Sequence, residues 1–293
     1  MFAAFSSDFH QGTNMTDIDL STGDKLLVVD LDLTVLRGDD YDGRWLSERS
    51  EQAFAAARKA GNAVMVATAR PPLTAFDLVN RLGASACAYH NGGVVDLDAQ
   101  YSSLQELGDD QNTTNGNILR FGVPVERCVE ICLRLLAKIP DLRIGIELND
   151  TRYTNFALTD IWPSQEYQLT DFSDMPSGIA EKIMMFPTDV QKEEVRALIP
   201  DDMALLISED VLWLLMNPKA TKLNGMNLAC QCFGISPSDT IAFGDDLIDM
   251  DVLEHAGCGV AVSNAKPEVK AIANEICPSN NDDGVAQWIE EHL

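Results

Sequence analysis

Basic residues are scarce in this chain, where 21 Lys and Arg residues stand against 46 Asp and Glu residues, for a formal net charge of −25. A surface of that sign repels the phosphates of nucleic acids and of anionic membranes. Long apolar runs are also missing, because no stretch reaches the roughly 20 residues that a membrane-spanning helix needs. We therefore expect no nucleic-acid partner and no membrane partner.

The sequence also lacks a cysteine framework and an export signal. Its seven cysteines are scattered, and the close pairs Cys128 with Cys132 and Cys230 with Cys232 have no nearby His or second pair at zinc spacing. We interpret them as small buried apolar residues of a protein kept in a reducing cytosol. The N-terminus shows no basic stretch followed by an apolar one, so we expect a cytoplasmic location.

Length and apolar content predict two domains. The chain has 293 residues, 46% of them hydrophobic, and residues 1–23 are polar enough to suggest a flexible N-terminal arm. In residues 24–104 and 217–293, short apolar runs alternate with helical patterns, which predicts an α/β fold with a parallel sheet. Residues 105–216 combine an amphipathic helix with alternating segments and turn signals, which predicts an inserted α+β domain with an antiparallel sheet.

One apolar run ends in two carboxylates. Leu26–Val29 reads as a buried strand and is followed by Asp30, Asp32 and Thr34. Unpaired carboxylates are unfavourable beside a core, so the segment suggests a cation, and Mg²⁺ prefers oxygen ligands. Taken alone, the segment fits equally well a strand followed by an ordinary turn, where Asp is common.

Further strands of the predicted parallel sheet also end in polar residues. Thr68 and Asn91 follow two apolar runs, and Asp245 follows another, with Asp249 four residues later. Because the carboxyl ends of parallel strands form one ligand-binding edge, we expect these side chains to lie together. Two acidic strand ends predict a magnesium site, and the alternative is that the second pair only caps a helix.

These motifs resemble those of haloacid dehalogenase-like (HAD) phosphatases. Asp30 to Thr34 resembles the DxDxT nucleophile motif, and Thr68 to Arg70 resembles the threonine or serine motif. Lys222 resembles the motif lysine, and its spacing to Gly234-Ile235 favours it over Lys219. Asp245 to Asp249 resembles the acidic motif. The segment Asn91-Gly92-Gly93 and the C-terminal motifs further resemble the Cof-type subfamily.

The resemblance implies a Rossmann-like parallel-sheet core, a type IIB cap inserted as residues 105–216, and defined roles at the strand ends. Asp30 would be the nucleophile that forms an aspartyl-phosphate, and Asp32 the general acid and base. Asp249 would bind the metal through water or orient Lys222. The implied Mg²⁺ ligands are Asp30, Asp32 through its carbonyl, Asp245 and Asp249. The implied phosphate-binding residues are Thr68, Ala69, Asn91 and Lys222.

The function implied is a Mg²⁺-dependent phosphomonoester hydrolase for a small phosphorylated metabolite, with a sugar phosphate favoured and a monomer or weak homodimer expected. A sugar phosphomutase and a non-catalytic binding or regulatory protein are the alternatives. Leu33 and Ile248 stand where the family usually has Gly and Asn. We expect these departures to change rate or substrate range. The candidates for cap contacts with substrate, each also compatible with a packing role, are Arg152, Tyr153, Trp162 and Lys182.

Overall fold

The computed structural model describes residues 25–39, 43–101, 104, 117–163, 165–208 and 211–293. The arm predicted for residues 1–23 lies outside these ranges. Within the described part of the chain, no helix has the length and apolar character needed to cross a membrane.

Short strands recur throughout the described part of the chain. They are β1 (Leu26–Val29), β2 (Ala63–Ala67), β3 (Ala86–Tyr89), β4 (Val94–Asp96), β5 (Ile118–Arg120), β6 (Val123–Pro124), β7 (Arg143–Leu148), β8 (Thr151–Thr154), β9 (Gln168–Leu169), β10 (Ile179–Ala180), β11 (Lys182–Phe186), β12 (Ala204–Ser208), β13 (Leu212–Met216), β14 (Thr240–Gly244), β15 (Cys258–Val262) and β16 (Glu275–Cys277).

The helices follow local capping signals in the sequence. Ser47 caps the first helix by accepting a hydrogen bond from Ser50 N, and Thr221 caps the fifth in the same way from Asn224 N. Gly83 ends the second helix in the left-handed conformation that glycine adopts easily. The helices are α1 (Glu48–Lys59), α2 (Pro72–Leu82), α3 (Val125–Lys138), α4 (Lys192–Leu198), α5 (Lys222–Phe233), α6 (Met250–His255), α7 (Pro267–Ile272) and α8 (Gly284–His292).

An eight-stranded sheet carries the strand ends singled out above. Its order is β16-β15-β14-β1-β2-β3-β4-β5, with parallel pairing from β16 to β3 and antiparallel pairing beyond. This order places β14, β1 and β2 side by side at its centre. The predicted α/β fold with a parallel sheet is confirmed. Strand β5 belongs to this sheet, although its residues fall within the segment 105–216.

A separate six-stranded sheet has the order β12-β13-β11-β7-β8-β9. All its pairs are antiparallel except β8 with β9. Helix α3 packs on this sheet through Cys128, Ile131 and Cys132, in a hydrophobic cluster distinct from that of the eight-stranded sheet. The predicted antiparallel sheet is confirmed. All seven cysteines are free thiols, and five of them are buried, as expected for small apolar residues.

Candidate active site

Three neighbouring strands of the eight-stranded sheet end in functional side chains. Asp30 follows β1, Thr68 follows β2 and Asp245 follows β14. The Asp30 amide donates to the Phe243 carbonyl at 3.2 Å, which continues the ladder with β14 to the point where the chain leaves the sheet. All three side chains are buried. The sequence prediction that these strand ends meet at one edge is confirmed by the strand order.

The chain leaves β1 through a wide turn, Leu31–Val35, closed by a hydrogen bond from Leu36 N to Leu31 O at 2.9 Å. Leu33 adopts a φ of +59° in this turn, the left-handed region that glycine enters without penalty. Asn264 donates from its side chain to the Leu33 carbonyl at 2.8 Å and thereby supports the turn. This geometry explains in physical terms why a glycine would suit the position that Leu33 occupies.

Three carboxylates form a compact buried cluster. One oxygen from each of Asp30, Asp245 and Asp249 lies within 4.8 Å of the others. Burial raises the pKa of Asp30 to about 7, with Lys222 opposing the shift and Asp249 adding to it. Burial and the charges of Asp249 and Asp30 raise the pKa of Asp245 well above its ordinary value. Three carboxylates thus outnumber the single cation in contact with them, Lys222, and their all-oxygen donor set fits Mg²⁺.

Lys222 is the cation nearest this cluster. It begins α5, is 2% exposed, and donates from Nζ to Asp30 Oδ1 and to Asp249 Oδ1, at 2.6 Å each. Burial alone would lower the pKa of Lys222, but the two carboxylates outweigh it and raise this pKa. Lys219, the alternative at the sequence level, is exposed to solvent. Lys222 is thus a permanent buried charge at the site.

Asp249 has both carboxylate oxygens engaged. Its Oδ1 accepts from Lys222, and its Oδ2 accepts from the backbone amides of Asp245 and Asp246 at 3.1 Å each. Thr34 Oγ1 donates to Asp245 Oδ1 at 2.7 Å and orients the neighbouring acid. Of the two roles considered for Asp249, this bonding favours the orientation of Lys222.

Asp32 is held by two arginines. Arg70 donates Nε to Oδ2 at 2.8 Å and a terminal nitrogen to Oδ1 at 2.6 Å, and Arg44 donates to Oδ1 at 3.0 Å. Burial alone would raise the pKa of Asp32, but the hydrogen bonds and charges of Arg70 and Arg44 outweigh burial and lower it. Asp32 is therefore an ionised carboxylate in this conformation.

Of the remaining predicted phosphate-binding residues, Thr68 and Ala69 follow β2, and Asn91 follows β3. The Thr68 hydroxyl accepts from the Arg70 amide at 3.1 Å, and Asn91 N donates to the Thr68 carbonyl at 2.8 Å. The buried Asn91 side-chain amide has no hydrogen-bond partner among the described residues, and Asn91 lines a separate cavity beside Lys222. Asn91 is thus tied to Thr68 by its backbone, whereas Ala69 lines the main cleft.

The main cleft lies between the two sheets. The eight-stranded sheet contributes Asp30, Asp32 and Asp245 to its floor. The six-stranded sheet covers them with side chains that include Glu147, Arg152 and Lys182, and Trp162 lines one wall. Lys182 Nζ donates to the Ala69 carbonyl at 3.2 Å, so the two sheets are directly bonded at the cleft. Tyr153 instead packs in the hydrophobic cluster around α3.

A family model for haloacid dehalogenase-like hydrolases matches residues 27–289. The chain belongs to this family. The resemblance stated from its motifs is thereby confirmed, and the matched range contains every candidate site residue named above.

Solved structures show the same haloacid dehalogenase fold. A haloacid dehalogenase-like hydrolase from Bacteroides thetaiotaomicron is 21% identical, with a TM-score of 0.74 over 92% of this chain and 100% of that one. The HAD subclass IIB sugar phosphatase BT4131 is 20% identical, with a TM-score of 0.73 over 91% of this chain and 98% of that one. At these identities the likeness concerns the fold.

Curated relatives match over very different lengths. YkrA of Bacillus subtilis is 25% identical over 91% of this chain and 97% of its own length. YitU of Bacillus subtilis, named 5-amino-6-(5-phospho-D-ribitylamino)uracil phosphatase, is 40% identical over 25% of this chain and 27% of YitU. A Haemophilus influenzae relative is 43% identical over 26% of this chain, and the alignment covers 29% of that relative. The chain thus spans under a third of the length of the last two relatives.

Two side chains of this haloacid dehalogenase-like site were not predicted from the sequence. Arg44 follows an acidic stretch of sequence with no recognisable motif, and Glu147 lies between Ile146 and Leu148 on β7 of the six-stranded sheet. An acidic residue flanked by apolar residues within a strand is a signal for a buried ion pair. Arg44 offered no comparable signal.

Proposed function

We propose that this protein is a Mg²⁺-dependent phosphomonoester hydrolase that acts on a small phosphorylated metabolite, with a sugar phosphate as the favoured class. The observation that carries the proposal is the convergence of Asp30, Lys222 and the three-carboxylate cluster at the carboxyl edge of one sheet. The names of YitU and BT4131, a phosphatase and a sugar phosphatase, agree with this class.

Asp30 is the proposed nucleophile. Its carboxylate oxygen attacks phosphorus, the bond from phosphorus to the substrate oxygen breaks, and an aspartyl-phosphate forms. Water then attacks phosphorus, releasing inorganic phosphate and restoring the carboxylate. Lys222, which contacts Asp30 at 2.6 Å, provides positive charge for the phosphate oxygens, and Thr68 is proposed to donate its hydroxyl to them.

The metal would be held by the Asp30 and Asp245 carboxylates and by the Asp32 carbonyl, with Asp249 positioning Lys222. A bound Mg²⁺ supplies positive charge that offsets the clustered carboxylates and the phosphate. The raised pKa of Asp245, caused by burial and the neighbouring acids, supports this assignment because the cluster is short of cationic charge.

Asp32 is the proposed general acid and base. It gives a proton to the leaving alkoxide and later takes one from the attacking water. Its pKa is lowered while Arg70 and Arg44 bind it, since these hydrogen bonds and charges outweigh burial. The Arg70 and Arg44 contacts therefore disfavour the protonated form of Asp32 that proton donation to the leaving group requires.

The test is phosphate release from a broad panel of phosphomonoesters, with Mg²⁺ and with EDTA. We expect Mg²⁺-dependent release that Asp30→Asn abolishes, while Asp201→Asn, an exposed aspartate of the six-stranded sheet region, retains it. Release that survives Asp30→Asn would contradict the assigned nucleophile. Isomerised sugar phosphate with little free phosphate would indicate a phosphomutase, and no turnover of any ester would favour the non-catalytic alternative.

A further inference from the structure

Three charged side chains of the six-stranded sheet face the cleft opposite the proposed catalytic residues. Glu147 lies on β7, Arg152 on β8 and Lys182 on β11, and they are 1%, 6% and 4% exposed. Charges this deeply buried are rarely kept without partners or a function. Their partners therefore indicate which of them is available to a ligand.

Lys182 contacts both the six-stranded sheet and the loop that follows β2. Its Nζ lies 3.1 Å from Glu147 Oε2 and donates to the Ala69 carbonyl at 3.2 Å. Ala69 lies between Thr68 and Arg70 in the loop that follows β2. Lys182 therefore ties the six-stranded sheet to this loop and sets the distance between Glu147 and the proposed phosphate site.

Arg152 is bonded far less fully. A guanidinium carries five N–H donors, yet among the described residues its only polar contact is with Glu147 Oε1, at 3.5 Å. Within the described ranges, Glu147 Oε1 accepts no hydrogen bond. Arg152 lines the cleft, so its remaining N–H donors are available to a group that enters the cleft.

The charges of this face do not cancel. Burial alone would raise the pKa of Glu147, but Lys182 and Arg152 outweigh it and lower that pKa to about 2, so the carboxylate is ionised. Arg152 and Lys182 against the single Glu147 carboxylate leave a net positive charge on the roof of the cleft, which is the side formed by the six-stranded sheet. This charge stands out in a chain whose formal net charge is −25.

We propose that Arg152 binds a second anionic group of the substrate, so that the substrate is a small phosphate ester that also carries a carboxylate or a further phosphate. This inference rests on the proposed phosphatase function and narrows its substrate class. Three successive contacts of 3.5 Å or less connect Arg152 through Glu147 and Lys182 to the Ala69 carbonyl. The second anion would therefore lie within the span of a small metabolite from the phosphate that reacts.

A planar guanidinium suits this role because it binds a carboxylate or phosphate through two parallel hydrogen bonds. An uncharged hydroxyl in the same place would leave the net positive charge of the roof unmatched. A charge-assisted hydrogen bond of ordinary strength corresponds to a preference of about 10-fold or more for the anionic substrate.

The experiment compares esters that differ only in the distal group. The pairs are 6-phosphogluconate with sorbitol 6-phosphate, 3-phosphoglycerate with glycerol 3-phosphate, and fructose 1,6-bisphosphate with fructose 6-phosphate. We expect at least one anionic member to be preferred about 10-fold in kcat/KM, mainly through a lower KM. Testing several chain lengths covers different separations of the two anions.

Variants assign the preference to Arg152. Arg152→Met should bring the ratio close to one by raising KM for the anionic ester, and Arg152→Lys should retain part of it by keeping the charge. Arg143→Met is the matched control, since Arg143 is an exposed arginine on the same sheet, and it should keep the wild-type ratio.

Two results would overturn the proposal while leaving the phosphatase function intact. One is a wild-type enzyme that hydrolyses both members of every pair equally well. The other is an Arg152→Met variant that lowers kcat/KM equally for both members, as expected if Arg152 only holds Glu147. Absence of phosphate release from all esters, p-nitrophenyl phosphate included, would instead overturn the proposed function and this inference together.

Discussion

Replacing Lys222 with methionine should destabilise the metal-free protein strongly. The Lys222 ammonium lies 2.6 Å from both Asp30 and Asp249, and the three residues are 2%, 7% and 1% exposed. Methionine fills a similar volume but leaves two neighbouring carboxylates buried without their cation. Removing one partner from a buried ion pair costs about 3–5 kcal/mol, and here the single partner serves two acids.

The measurement is the free energy of unfolding by urea in EDTA, at pH 7.5 and at pH 5. At the higher pH, Lys222→Met should lose about 3–5 kcal/mol. The loss should shrink at the lower pH, because Asp30 and its neighbours take up protons once Lys222 no longer holds down their pKa values. Mg²⁺ should restore part of the stability, since it supplies the missing charge.

Lys219→Met is the control, because Lys219 is exposed and lies only three residues earlier. Surface substitutions of this kind change stability by about 0.5 kcal/mol or less. Equal stability of the two variants would show that Lys222 does not compensate the charge of the buried acids.

Three further predictions follow from the same charges. Arg44→Gln should raise the pKa of Asp32 towards its ordinary value, because it removes one of the contacts that lower it. The ratio of kcat for an alkyl phosphate to kcat for p-nitrophenyl phosphate should then increase, because only the alkyl leaving group needs a proton. An unchanged ratio would contradict a role for the Arg44 contact. Burial raises the pKa of Glu181 to about 7 from an ordinary 4.5, so its contribution to stability falls as pH rises between these values. Glu181→Gln should flatten that part of the urea-derived stability profile, and an identical slope would contradict it. Mg²⁺ at 100 times its Kd should raise the unfolding free energy by about 2.7 kcal/mol in wild type, with little gain in Asp245→Asn.

The strand ends could be predicted from the sequence because each follows a short apolar run at the centre of a parallel sheet. Asp30, Thr68 and Asp245 are fixed by backbone ladders that such runs form, so their meeting follows from strand order. Lys222 could be assigned by motif spacing, and its two carboxylate contacts agree with that choice.

Other contacts could not be predicted from patterns along the chain. Arg44 reaches Asp32 from an irregular loop, and Arg152 reaches the cleft only because a second sheet covers the first. The left-handed Leu33 conformation depends on the turn geometry and on the distant Asn264, 231 residues away. These features are set by tertiary packing, whereas the strand ends are set by local periodicity.

The proposed function depends above all on phosphorylation of Asp30 during turnover. The direct measurement is rapid-quench peptide mass spectrometry of Asp32→Asn with Mg²⁺ and p-nitrophenyl phosphate, whose leaving group needs no acid while hydrolysis of the intermediate lacks its base. We expect a mass increase of about 80 Da, one phosphoryl group, on the peptide that contains Asp30. Release of p-nitrophenol with that peptide unmodified, or with the phosphoryl group on another residue, would contradict it.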